Sequence, residues 1–168
     1  GVLSGGVVFA ADAPASAVGP LMKLFQSGKL PPERQGTVVE MICNRGNEND
    51  LRVVLDKVID PQGFPADLRL KALGYLVDAA NTRKVKPVGD LSGIASLVVG
   101  GEAAKQPVLQ GAAIRLAAVW KDGSVGPVLS KLALDKNTGA DLRQTAMEGL
   151  VAIGNADSQK TLSQLVAK

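Results

Sequence analysis

Few side chains in this sequence could do covalent or proton-transfer chemistry, so the first question is which chemistry they leave open. Histidine is absent and Cys43 is the single cysteine. Without histidine there is no imidazole base, no serine-type triad, no axial haem histidine and no common zinc or non-haem iron ligand set. One cysteine can form neither an internal disulfide nor a CxxC pair. Cys43 stands beside the apolar Ile42 with no histidine to activate it, and reads as a small buried core residue. Glu33, Glu40, Glu148 and the aspartates never fall at the local spacing of a paired-carboxylate site. Gly5-Gly6 and Gly100-Gly101 lack the lysine and the spacing of a phosphate loop, and read as loops or flexible ends. The expectation is a chain with no catalytic residue, no metal site and no small-molecule cofactor.

What remains is charge. Arg83, Lys84 and Lys86 form the densest basic run, inside the stretch Asn81 to Asp90, and offer either a solvated loop or a docking site for an acidic partner. The elements that would position such residues follow from composition and periodicity. Hydrophobic residues make up 46% of the chain and charged ones 21%, which is globular composition, and aromatics at 3% leave Ala, Val and Leu to fill the core. Length fits one domain spanning residues 1–168. No apolar run is long enough to span a membrane. The chain begins at Gly1 without the basic leader of a signal peptide, so the N-terminus reads as a cut end of a longer protein. Residues 1–14 read as irregular or as a remnant helix.

Two interleaved helical stripes run through the sequence. The first is Leu142, Ala146, Gly149, Leu150, Ile153, one face of a helix, and it recurs as Leu109, Ala113, Leu116, Ala117, Trp120 and as Leu68, Ala72, Tyr75, Leu76, Ala79. A weaker copy is Arg34, Val38, Met41, Ile42, Arg45. The second stripe is Leu51, Val54, Leu55, Val58, Ile59, repeated as Leu91, Ile94, Ala95, Val98, Val99 and as Val125, Val128, Leu129, Leu132, Ala133. Degraded copies close the two ends, Val18 to Gln26 and Ser158 to Val166. Successive starts lie 34, 41 and 33 residues apart in the first series and 33, 40, 34 and 33 in the second. Two stripes that keep one lag define a repeated helical hairpin.

Punctuation agrees with that unit. Pro31-Pro32, Pro65 and Pro107 stand at the starts of first-type helices, and Asp67 and Asp141 in their first turns. Asp50, Asp90, Ser124 and Asp157 are expected to cap second-type helices, and Gly46, Gly123 and Gly154 to close first-type helices in the left-handed conformation. The predicted fold is all-α, an α-α superhelix of about four hairpins plus an N-terminal half-repeat, in which each hairpin covers its neighbour's apolar face. Ser158 and Thr161 suit a polar C-terminal cap.

The stretches Pro65 to Leu73 (PADLRLKAL) and Gly139 to Asn155 (GADLRQTAMEGLVAIGN) resemble the first helix of HEAT repeats, part of the armadillo-like class. The tetratricopeptide and ankyrin signatures are absent. The resemblance covers residues 31–168 and implies a solenoid used for protein–protein interaction. More narrowly, Lys29 to Gly36, Phe64 to Arg69 and Thr82 to Ser92 resemble the helical-repeat section of large exported bacterial proteins. That section joins a sugar-dehydrogenase-like propeller to a c-type haem domain. Such a resemblance implies an exported or periplasmic setting and an accessory role in a haem-linked oxidoreductase. No haem or dehydrogenase residue carries over, since Cys43 is followed by Asn-Arg-Gly rather than CxxCH. Trp120 with Asp122 is similar to the aromatic and aspartate of helical-repeat DNA glycosylases; a core tryptophan and an Asp-Gly turn account for the pair more simply.

In HEAT-like stacks the second-type helices line the concave side. Their outward positions carry Lys23, Arg52, Lys57, Lys131 and Lys160 against one carboxylate, Asp56, a net +4 where the whole chain has +3. That face is mildly basic and free of aromatics, too weak and ring-poor for nucleic acid. The expected function is therefore a non-catalytic scaffold or spacer docking a protein, or neighbouring domains of a parent chain. A nucleic-acid-binding module and the haem-linked accessory section are the alternatives.

Overall fold

The computed structural model describes residues 17–99 and 105–167, and among these every regular element is helical. The expectations for residues 1–14, Gly5-Gly6 and Gly100-Gly101 lie outside them. The α-helices are α1 (Gly19–Gln26), α2 (Pro32–Arg45), α3 (Glu48–Ile59), α4 (Ala66–Thr82), α5 (Pro107–Trp120), α6 (Gly126–Leu134), α7 (Ala140–Ile153) and α8 (Ala156–Val166). The four first-type stripes are α2, α4, α5 and α7, which pack one on the next in that order. The second series runs through α1, α3, a six-residue 3₁₀ segment (Ser92–Leu97), α6 and α8, with α3 on the 3₁₀ segment and α6 on α8. Across the two series α2 touches α3, α3 touches α4, and α7 touches both α6 and α8, so one apolar layer is enclosed between them.

Much of that layer is the predicted one, though Val99 is exposed and Tyr75, Leu142 and Ile153 are half-buried. Leu109, Ala113, Leu116, Ala117 and Trp120 of α5 are all buried, as are Leu51, Val54, Leu55 and Val58 of α3. In the weak copy on α2 the core is kept by Val38 and Ile42, joined by Val39 and Cys43, while Arg34, Met41 and Arg45 stay exposed. Small residues let the helices approach closely. At Gly149 on α7 a Cβ would lie 2.9 Å from Leu129 Cδ1 of α6 and 3.1 Å from Ile114 Cγ2 of α5.

Three local expectations are corrected. The stripe Leu91 to Val99 forms the 3₁₀ segment instead of an α-helix. Gly93, Ser92 and Ser96 are poor helix formers, and the Ser96 hydroxyl donates to the Gly93 carbonyl, a local bond that competes with the helical ladder. Caps also fall earlier than expected. Asn47, not Asp50, caps α3; Asp50 serves as the third residue of a capping box, its carboxylate accepting from the Asn47 N–H. Asn155 rather than Asp157 caps α8, and Asp122 rather than Ser124 caps the short 3₁₀ turn before α6. Of the three glycines expected to close helices, only Gly154 is left-handed, with φ +65°. Gly46 is extended, and Lys121 takes the left-handed position (φ 55°) that Gly123 was expected to hold.

Packing of the glycines gives opposite expectations for two substitutions. Gly74 lies inside α4 with open space around a Cβ, so Gly74→Ala raises stability by about 0.5–1 kcal/mol. Gly149→Val drives two methyl groups into the α5–α6–α7 junction and lowers it by about 2–3 kcal/mol. Urea denaturation of both variants checks the signs.

Candidate docking surface

The eight predicted docking cations separate into two groups. Lys23 on α1, Lys57 on α3, Lys131 on α6 and Lys160 on α8 are exposed, one on each α-helix of the second series. Lys57 Nζ lies 5.8 Å from the centroid of the Phe25 ring, so part of its charge rests on an aromatic face at the junction of α1 and α3. Along the same series Ser130 Oγ and Thr161 Oγ1 lie 2.8 Å apart, tying α6 to α8. The same spacing puts Leu97 and Gly126 among the outward positions of the second series, and both are buried. The 3₁₀ winding turns Leu97 onto the core side, because its residues advance by 120° instead of 100°.

The arginines are engaged within the fold. Arg52 is half-exposed; its Nη1 donates to the Asp90 carbonyl and its Nε lies 3.0 Å from Asp56 Oδ1. Val88 N–H donates to the Glu48 carbonyl at 3.1 Å, so the Asn81–Asp90 insertion is pinned to the first turn of α3. Asp90 in turn accepts from the Ser92 N–H, which holds its carboxyl below the usual range. Arg83 donates to the carbonyls of Cys43 (2.7 Å) and Gly46 (2.6 Å), the free carbonyls at the end of α2. Lys84 and Lys86 remain exposed, Lys84 with a left-handed backbone (φ 57°). The basic run thus divides into one structural arginine and two available lysines.

Cys43 is fully buried, and burial pushes its thiol from the ordinary 9.0 up to about 12, against a smaller opposing effect of Arg83. A thiol so held is a poor nucleophile. Trp120 is 6% exposed and packed in the core, and Asp122 Oδ1 accepts from both the N–H and the hydroxyl of Ser124. The pair therefore builds a helix end and a turn. Among the described residues no group of three His, Cys, Asp or Glu side chains is placed to hold a metal ion, and no helix is long and apolar enough to cross a membrane.

Sequence reasoning passed over Arg69 and Arg143. Arg69 Nη2 donates to the carbonyls of Asp60, Pro61 and Phe64 in the turn between α3 and α4, and Arg143 Nε to Ala133 at the end of α6. The signal was the Asp-Leu-Arg shared by α4 and α7, whose arginine reaches back to the helix before. Arg115 was passed over too, since charge was counted only on the second series. The chain matches no protein-family model, no curated protein and no solved structure.

Two measurements follow. Arg83→Ala strips two charge-assisted hydrogen bonds and costs about 2–3 kcal/mol by urea denaturation, while Lys84→Ala and Lys86→Ala each stay within about 0.5 kcal/mol of the parent. Cys43 makes stability pH-dependent. The unfolded chain releases the thiol proton near 9.0 while the folded chain keeps it to about 12. Between those values the folded state binds more protons, so the contribution is whole below pH 9 and falls as pH rises, by at most about 1.4 kcal/mol per pH unit. In Cys43→Ala that component of the alkaline slope disappears.

Proposed function

We propose that this chain is a non-catalytic helical-repeat scaffold of HEAT-like type, which docks an acidic protein surface or a neighbouring domain along its second series of helices. The supporting observation is the recurrence of one exposed lysine on each of α1, α3, α6 and α8. Helices in such a series share one side of the molecule, so Lys23, Lys57, Lys131 and Lys160 form a line of cations spaced by repeats. Small neighbours at Gly19, Pro20, Gly93 and Pro127 keep that side low, giving a partner's backbone close approach. In a superhelical stack this would be the inner curve. Long-range attraction from such a line acts mainly on encounter rate and register, and salt screens it.

The reading is tested by polyglutamate binding measured with the intact chain. Binding that weakens steeply from roughly 50 to 300 mM salt is expected. Changing Lys23, Lys57, Lys131 and Lys160 together to Gln is expected to weaken it about tenfold or more. The same charge change at four other exposed lysines, Lys29, Lys71, Lys121 and Lys136, has a much smaller effect. Equal losses in the two quadruple variants, or binding indifferent to salt, would overturn it.

A further inference from the structure

The first series of helices carries a groove that the lysine line does not touch. A cavity of about 270 Å³ opens between α4, α5 and α7, floored by Val77, Ile114, Ala118 and Val119. A second, of about 220 Å³, lies at the ends of α4 and α5 and shares Val119 with it; Ala80, Val85 and the Trp120 ring supply its apolar walls, and Lys84 and Lys86 its rim. A third, of about 230 Å³, shares Arg115 and Thr145 with the first and continues toward Pro107 and Val108. The three openings follow one another along α5, each sharing a lining residue with the first, and together they form a furrowed side of that helix. That helix has 14 residues, about 21 Å at 1.5 Å each, the reach of roughly six residues of extended chain.

Its charge is unbalanced. Arg115 stands where the first and third cavities meet, and among the described residues its guanidinium has no hydrogen bond or ion pair. The guanidinium lies back over Gly111, where a Cβ would come 3.6 Å from Nη1, so the missing side chain leaves it room along the helix. This contrasts with Arg52, Arg69, Arg83 and Arg143, each of which donates to at least one backbone carbonyl. Lys84 and Lys86 are likewise without partners among the described residues. Glu148 lines the middle cavity but accepts a hydrogen bond from the Gln144 side chain, and Asp141 lies only at the far, Pro107 end. From Arg115 to the Trp120 end, three cations face one carboxylate across an apolar floor.

We infer that this furrow binds an extended peptide segment of a partner protein, with small apolar side chains on Val77, Ala118 and Val119 and carboxylates toward Arg115, Lys84 and Lys86. A guanidinium can grip a carboxylate through two parallel N–H bonds, whereas the lysines act as point charges, so Arg115 sets the register and the lysines favour an acidic end. The site is on the first series, and its occupancy is independent of the lysine line on the second.

The test uses the intact chain and a fluorescein-labelled peptide, Gly-Ala-Val-Ala-Glu-Glu, followed by polarisation, with emission of the single Trp120 as a second readout. Saturable binding is expected, with a shift in Trp120 emission. Arg115→Ala weakens it about tenfold, as does Lys84→Ala with Lys86→Ala. Changing Lys23, Lys57, Lys131 and Lys160 to Gln leaves this affinity unchanged, which separates the two surfaces. Circular dichroism of each variant verifies the fold; the three side chains replaced are exposed and free of internal bonds. Absence of saturable binding, equal binding of a peptide ending in two lysines, or an affinity unmoved by Arg115→Ala would overturn the inference.

Discussion

The carbonyl oxygens that each helix leaves free at its C-terminal end are the constraint on which this structure turns. Short helices joined by tight turns produce many such ends, and packing in series brings several of them against neighbouring elements. Arginines supply the missing donors. Arg83 reaches across from the end of α4 to the end of α2, Arg69 gathers three carbonyls of the turn before it, and Arg143 reaches the end of α6. Arg52 does the same for the long insertion. Each of these bonds fixes how one element sits on another, and a core of alanine, valine and leucine, with little shape of its own, can then close in a single register.

This assignment of roles sorts the basic residues by type. Four guanidinium groups, planar and carrying several donors, are spent on carbonyls (Arg52, Arg69, Arg83 and Arg143), while Arg34, Arg45 and Arg115 stay exposed. Ammonium groups, strongly hydrated and mobile, stay on the outside. The four bonded arginines keep their full charge, since a carbonyl is neutral, but the fold fixes where they point. Among the described arginines that reach no backbone carbonyl, Arg115 is the one in a furrow, which gives its position weight.

Much of the helical order was legible in the sequence because burial repeats at helical spacing. Leu109, Ala113, Leu116, Ala117 and Trp120 were placed in the core from spacing alone, and all are there. Starts marked by proline were legible for a similar reason, since Pro32 and Pro107 fix the first turn without needing a donor. Ends and caps were harder. Asn47 and Asp50 are both good cap residues three positions apart, and only the fold decides that one caps and the other completes the box. The stripe at Leu91 to Val99 has helical spacing with weak helix formers between, and local serine bonding outweighed the pattern. The docking cations were the least legible. Arg83 and Lys84 are neighbours of like charge, yet one clamps α2 and the other faces solvent, a difference that depends on a contact 40 residues away.

The 3₁₀ segment also sets which part of the second series has the least internal bracing. An α-helix resists stretching through overlapping bonds from each residue to the fourth before it, whereas a 3₁₀ run has tighter rings and poorer bond geometry. Among the described residues α3 meets this run, Ser92–Leu97, and the run meets the short turn before α6, while α4 and α5 face each other directly in the first series. At this one hairpin, then, the second series has no full α-helix to lend it rigidity, and the α4–α5 contact must hold the neighbouring repeats in line.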